Sequence, residues 1–236
     1  GRFDEAEELA KRAMARAGQH RWVGIEGQAA ASLGSIAMHH GDLDLAAKRI
    51  ALGRAYAKAE GDLQVEVRSI LSLARVEHAA GRLDAADRLL DEAEAYGLDD
   101  LEIRTSIHWS RGTLAWFKND LKTAIEHFNE GLRLSSDNGM LLRKGLFLSL
   151  HGELARSRGD LSSALDWYQQ SAQVLDGLGT SEAVVSHVNC ALVHLAREDY
   201  AQVQQTLHQW LPIMEARGVK AHLVVVRAAL MECAAA

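Results

Sequence analysis

The sequence predicts an all-α fold, an α-α superhelix of tandem helical hairpins. Three observations carry that expectation. One turn phrase recurs at a near-constant spacing, columns of small and large residues keep step with it, and the composition favours helix almost everywhere. The repeat is read first, because a missed period misreads the whole fold.

The phrase is a turn residue, then Asp or Arg, a large apolar residue, two free positions and usually Ala. Its copies are Gly1-Arg2-Phe3 to Ala6, Gly41-Asp42-Leu43 to Ala46, Gly81-Arg82-Leu83 to Ala86, Asn119-Asp120-Leu121 to Ala124, Gly159-Asp160-Leu161 to Ala164, and Glu198-Asp199-Tyr200 to Val203. Successive first residues lie 40, 40, 38, 40 and 39 apart, a regularity that unrelated turns would not produce. Gly or Asn can end a helix by taking the left-handed conformation. Asp can then cap the next helix, whereas Arg in two copies cannot. The large residue anchors the corner, and the alanine one turn on lets two helices approach.

Two further columns share this frame. Gly34, Ala74, Gly112, Gly152 and Ala191 are all small and precede the turn alanine, or its substitute, by twelve residues. Ala10, Ile50, Leu90, Phe128, Tyr168 and Leu207 follow it by four and are mostly bulky. Small residues opposite large ones are how an antiparallel helix pair packs closely. Strand-forming stretches are almost absent, Ala, Leu, Glu, Arg and Gln abound, and Pro212 is the one proline. Pro212 falls inside an expected helix and should kink it.

Caps and the 3.6-residue period predict twelve helices. The opening helices of successive pairs are expected near 22–40, 63–80, 99–118, 138–158 and 180–197, and their partners near 3–17, 43–60, 83–96, 121–135, 161–177 and 200–217. A last segment near 219–234 reads as a further opening helix. One solenoid over 1–236 is expected, with hairpins near 21–60, 61–97, 98–136, 137–178 and 179–217 and partial repeats near 1–20 and 218–236. The chain opens at a turn and closes on an unpartnered helix, so it is expected to be cut from a longer array and to self-associate through apolar end helices.

These columns resemble the tetratricopeptide family, most clearly in Trp109-Ser110-Arg111-Gly112 through Ala115, Asp120-Leu121, Ala124-Ile125 and Phe128. The family unit is 34 residues, so a period near 40 marks a long variant with each helix extended by about half a turn to a turn. Units of this length resemble the repeat domains of bacterial signal-transducing ATPase regulators of the maltose-activator kind and of kinase-linked relatives. The resemblance implies a right-handed solenoid whose concave face is lined by the opening helices and binds a protein or peptide, which could be another domain of the same polypeptide. A second implied use is sensing of a small-molecule or protein effector within a cytoplasmic regulator. Carried over position by position, the groove comprises Arg68, Arg75, His78, Trp109, Ser110, Thr113, Trp116, Glu153, Arg156 and Asn189. Trp109, Thr113 and Trp116 share one helix face, a spacing that suits core packing as well as a groove. Arg68, Arg75 and Arg156 would offer positive charge to an acidic ligand, or would simply be solvated. The paired Lys or Arg and Asn of chaperone-binding relatives are replaced here by Ala31 and Ser35, Leu71 and Arg75, and Trp109 and Thr113.

Other chemistries find little support. A net charge of −6 disfavours a nucleic-acid backbone or an anionic membrane as partner. Cys190 and Cys233 are too few for a disulfide framework and lack zinc spacing, so a reducing compartment fits. His39-His40, and His187 with His194, lack accompanying carboxylates or thiols at ligand spacing. His108, His127, His151, His208 and His222 are scattered through the array. Glycine-rich phosphate loops are missing. No catalytic residues, metal or cofactor are expected.

Overall fold

The computed structural model describes residues 2–217 and 220–235, with the side chains of 4–180, 182–215 and 223–234. Gly1, and the side chains of Phe3 and His222, lie outside the described residues. Within them the chain is all-α, with twelve helices: α1 (Arg2–His20), α2 (Val23–His39), α3 (Leu43–Glu60), α4 (Leu63–Ala79), α5 (Leu83–Ala95), α6 (Leu101–Phe117), α7 (Leu121–Asp137), α8 (Leu141–Ser157), α9 (Leu161–Asp176), α10 (Ser181–Ala196), α11 (Tyr200–Arg217) and α12 (Lys220–Ala235). The ends fall within about three residues of those expected from caps and period. α11 runs through Pro212.

The turn chemistry explains the boundaries. Gly41, Gly81, Asn119, Gly159 and Glu198 all take positive φ at the turns between opening helix and partner. Asp42, Asp120, Asp160 and Asp199 then accept a backbone N–H three residues on, while Arg82 makes no side-chain cap. A second set of left-handed glycines, Gly61, Gly97, Gly139 and Gly179, closes the partner helices. Asp62 and Asp100 cap the helices that follow the first two of these.

The chain falls into two compact units, Gly1–His127 and Phe128–Ala236. In the first, α1 to α6 pack each against its chain neighbour, and the opening helices α2, α4 and α6 also touch in series. In the second, α8 to α12 do the same, with α8, α10 and α12 touching in series. Each unit is thus a run of hairpins in register.

The small and large columns meet as the sequence requires. A Cβ added to Gly34 would lie 2.5 Å from Ile50 Cγ1, and one added to Gly152 would lie 2.6 Å from Tyr168 Cε1. The large column is enclosed at Ile50, Leu90, Phe128, Tyr168 and Leu207. Burial of that apolar seam, at about 25 cal/mol per Å², drives hairpin against hairpin.

One polar feature is also periodic. Tyr56 donates to Glu26 at 2.8 Å, and Tyr96, forty residues on, donates to Glu66 at 2.7 Å. Glu66 is only 3% exposed, and Arg54 stands 3.7 Å from it while also pairing with Glu92. A buried carboxylate needs such partners.

Candidate partner-binding pocket

The opening helices of the first unit enclose a cavity of about 310 Å³. α4 contributes Ala74, Arg75, His78 and Ala79, spaced so that they share one face, and α6 contributes Trp109, Ser110, Thr113 and Leu114. Met38 of α2 closes one side, and Ala86 and Leu90 of α5 form the floor. Ala74, Ala79 and Ala86 are the small residues of its lining.

Five of the ten residues expected in the groove therefore converge: Arg75, His78, Trp109, Ser110 and Thr113. Trp109 is half-buried, with its ring on the cavity wall, and Thr113 donates to the Trp109 carbonyl at 2.7 Å. Arg75 is exposed at the rim. His78 has Nε2 enclosed without a hydrogen-bond partner, and burial pushes its pKa down, so the ring is uncharged at neutral pH. The exposed Phe117 meets that imidazole edge-on at 4.4 Å.

The other five lie elsewhere. Arg68 is exposed, two turns before Arg75 on α4, with Asp100 at 3.7 Å. Trp116 is half-buried against the edge of Phe117 and is not part of the cavity wall. Glu153, Arg156 and Asn189 belong to the second unit and bond one another: Asn189 donates to Glu153 at 3.1 Å and Arg156 at 2.7 Å. That carboxylate ties α8 to α10. Met38, Ala79 and Leu114 were missed, since an apolar residue on an opening helix reads as core; Ala74, Ala86 and Leu90 belong to the repeat columns.

The remaining polar groups have structural work. Arg111 of α6 reaches Asp87, Asp91 and Glu94, one face of α5, at 2.5, 2.5 and 2.9 Å. His108 and His127 face each other Nδ1 to Nδ1 at 3.1 Å. His187 stacks on Trp210 and bonds Asp176 at 2.9 Å, and His194 lies 3.4 Å from Asp199. Cys190 is buried, and that burial pushes its thiol up to about 12, away from any nucleophilic role near neutral pH. Among the described residues no three His, Cys, Asp or Glu side chains are grouped to hold a metal, and no helix is long and apolar enough to cross a membrane.

His151 gives a testable pH dependence. It is buried, stacked on Trp167 at 4.8 Å, with Nε2 unpartnered. Burial lowers its pKa, and a hydrogen bond to the Phe128 backbone only opposes that. At pH 7.5 folded and unfolded forms are both neutral. As pH falls through about 6.5 the unfolded chain takes the proton first, so stability falls towards the folded pKa. The drop in Tm between pH 7.5 and 5.0 should therefore shrink in His151→Phe; an unchanged drop would remove His151 from the account.

No family model matches the sequence. No curated protein matches it either. Solved structures do. BtubC (BKLC) from P. vanneervenii is 14% identical with a TM-score of 0.65, over 92% of this chain and 93% of that one. A Signal Transduction ATPase with Numerous Domains carrying a tetratricopeptide repeat sensor, from Pyrococcus horikoshii, is 15% identical with a TM-score of 0.69, over 86% of this chain but 32% of its own. A Rap protein complexed with Competence and Sporulation Factor is 13% identical with a TM-score of 0.68, over 89% and 63% respectively. At such identities the likeness speaks for the fold, and it agrees with the period, the columns and the hairpin packing: the chain has the fold of a tandem tetratricopeptide-like repeat array.

Proposed function

We propose that the chain is a non-catalytic interaction module that holds a polypeptide along its opening helices and seats an anchor side chain in the cavity between α4, α5 and α6. The observation that carries this reading is the convergence of Arg75, His78, Trp109, Ser110 and Thr113 on one cavity with an apolar floor. A volume of about 310 Å³ suits one large side chain, and a half-buried tryptophan on its wall is the residue type that dominates binding energetics. Arg68 and Trp116, on the same two opening helices, would then contact flanking parts of the partner. The repeat sensor of the Pyrococcus ATPase and the Rap protein complexed with its factor support a place within a larger regulatory, signalling protein.

A second reading is favoured by the same cavity: its size reaches the lower end of small-molecule sites, with a few polar groups on an apolar wall, as an effector sensor would need. Panning a random displayed-peptide library on the chain separates the two. Peptides selected by the wild type should bind Trp109→Ala about 30-fold or more weaker, the loss expected of a hot spot. Trp167→Ala, in the second unit, should leave their affinity unchanged. If no peptide is enriched, or if Trp109→Ala binds the selected peptides as well as wild type, the polypeptide reading fails.

A further inference from the structure

We propose that the anchor seated in the cavity is a tyrosine side chain, its ring on the apolar floor and its hydroxyl bonded between His78 of α4 and Ser110 of α6. This choice of anchor rests on the polypeptide reading given above. Size and charge narrow it first. Ala74, Ala86, Leu90 and Leu114 ask for an apolar body, a volume of about 310 Å³ admits an aromatic ring, and Trp109 gives that ring a wall to pack against. Among the described residues of the lining Arg75 alone carries a charge, and it is exposed at the rim. An ionic tip at the floor would meet no counter-charge there and would keep its water instead.

Two polar groups of the lining then call for a neutral tip. On the same three opening helices Ser32, Ser35, Ser69, Ser72, Thr105 and Thr113 each donate the hydroxyl to the carbonyl four residues back, at 2.7 to 3.2 Å. Ser110 lies between the last two on α6, yet among the described residues its hydroxyl has no such partner. His78 Nε2 has none either and is closed off from water. Unpaired polar groups beside an apolar floor cost the free protein stability, and a ligand that pairs them recovers it on binding.

A phenol answers both groups. Its hydroxyl donates one hydrogen bond and accepts another, so it can accept from Ser110 while donating to Nε2. With the other tautomer of the ring the two directions simply exchange. An indole brings a donor alone and a phenyl ring brings nothing, so either leaves one group or both unpaired. Bringing Nε2 onto the hydroxyl takes a turn of the imidazole about χ2, a torsion with broad wells. Phe117, which meets that ring edge-on at 4.4 Å, is 64% exposed and has solvent to yield into.

Ligand-observed NMR titration of the chain with N-acetyl-tyrosinamide and N-acetyl-phenylalaninamide tests the choice. The tyrosine compound should bind about tenfold tighter, the gain expected from one or two added hydrogen bonds. Trp109→Ala should weaken both compounds. Ser110→Ala and His78→Phe should each leave the phenylalanine compound unchanged and bring the tyrosine compound down towards it. Alanine is the better helix former, so Ser110→Ala keeps the fold and carries the test even where His78→Phe does not. Equal affinities in the wild type, a preference that survives Ser110→Ala, or no binding of either compound would each overturn the tyrosine and leave the polypeptide reading to its own test. A tyrosine preference that falls with Ser110→Ala, in a chain that enriches no displayed peptide, would uphold the phenol site and sink the polypeptide reading.

Discussion

Replacing Phe147 with alanine should destabilise the second unit by about 3–5 kcal/mol, the range for emptying a fully buried aromatic site. Phe147 on α8 has 0% exposure, and its ring tip lies where a side chain on Gly131 of α7 would begin. The ring and the missing Cβ form one packing unit. Gly131→Ala alone should therefore also destabilise, by about 1–3 kcal/mol, although alanine is the better helix former by about 1 kcal/mol. In the Phe147→Ala background the vacated space admits the methyl group, and the same glycine substitution should become neutral or stabilising. Urea midpoints for the four proteins, at constant m, read the cycle directly. If Gly131→Ala costs the same in both backgrounds, the ring is not what excludes its side chain.

That pair shows how much of the fold could be read in advance and where reading stopped. Gly131 and Phe147 both lie off the columns recognised in the sequence, though they obey the same rule of small against large. The columns at Gly34 and Gly152 were visible because they stand at a constant distance from the turn alanine, and the turn itself is fixed by local chemistry. Gly131 keeps a constant distance too, seven after the turn alanine in step with Gly53, Ala93 and Ser171, but its partner Phe147 has no large counterpart in every repeat: the same position holds Ala29, Ser69, Ile107 and Ser186. The cavity divides the same way. Arg75, His78, Trp109, Ser110 and Thr113 could be placed by helix face, because polar or aromatic residues on an opening helix stand out. Met38 and Ala79 could not, because a void arises from what is small on several helices at once. Arg68, Glu153, Arg156 and Asn189 were placed by the same face rule, but each has a charged or polar partner within its own unit that periodicity does not announce. The Glu26–Tyr56 and Glu66–Tyr96 pairs were legible, with both members recurring at forty residues, and went unread because the search followed apolar columns.

Substituting Arg54 by methionine should cost the first unit about 3 kcal/mol, the low end for breaking a buried ion pair by removing one member. The low end applies because the Arg54 side chain keeps 23% of its exposure, so solvent screens part of the interaction. Glu66 stays in place at 4% side-chain exposure, held then only by the Tyr96 hydroxyl. Glu92 loses the same guanidinium but is 40% exposed and reaches water, so its share is small. The diagnostic is the double variant. Arg54→Met with Glu66→Met replaces the pair by apolar groups of similar volume and should recover most of the loss, since the cost of the single change is the stranded carboxylate and not the lost attraction. Tyr96→Phe, which leaves Arg54 at 3.7 Å, removes the hydroxyl that donates to Glu66 and should cost about 1.5–3 kcal/mol, the range for a hydrogen bond to a charged group. Tyr56→Phe, made against the half-buried Glu26, should cost less, because water can take the place of the lost hydroxyl. Chemical denaturation of the four variants ranks these costs. A double variant as unstable as Arg54→Met would mean that the guanidinium holds α3 to α4 and α5 by packing along its stem, with the charge on Glu66 incidental.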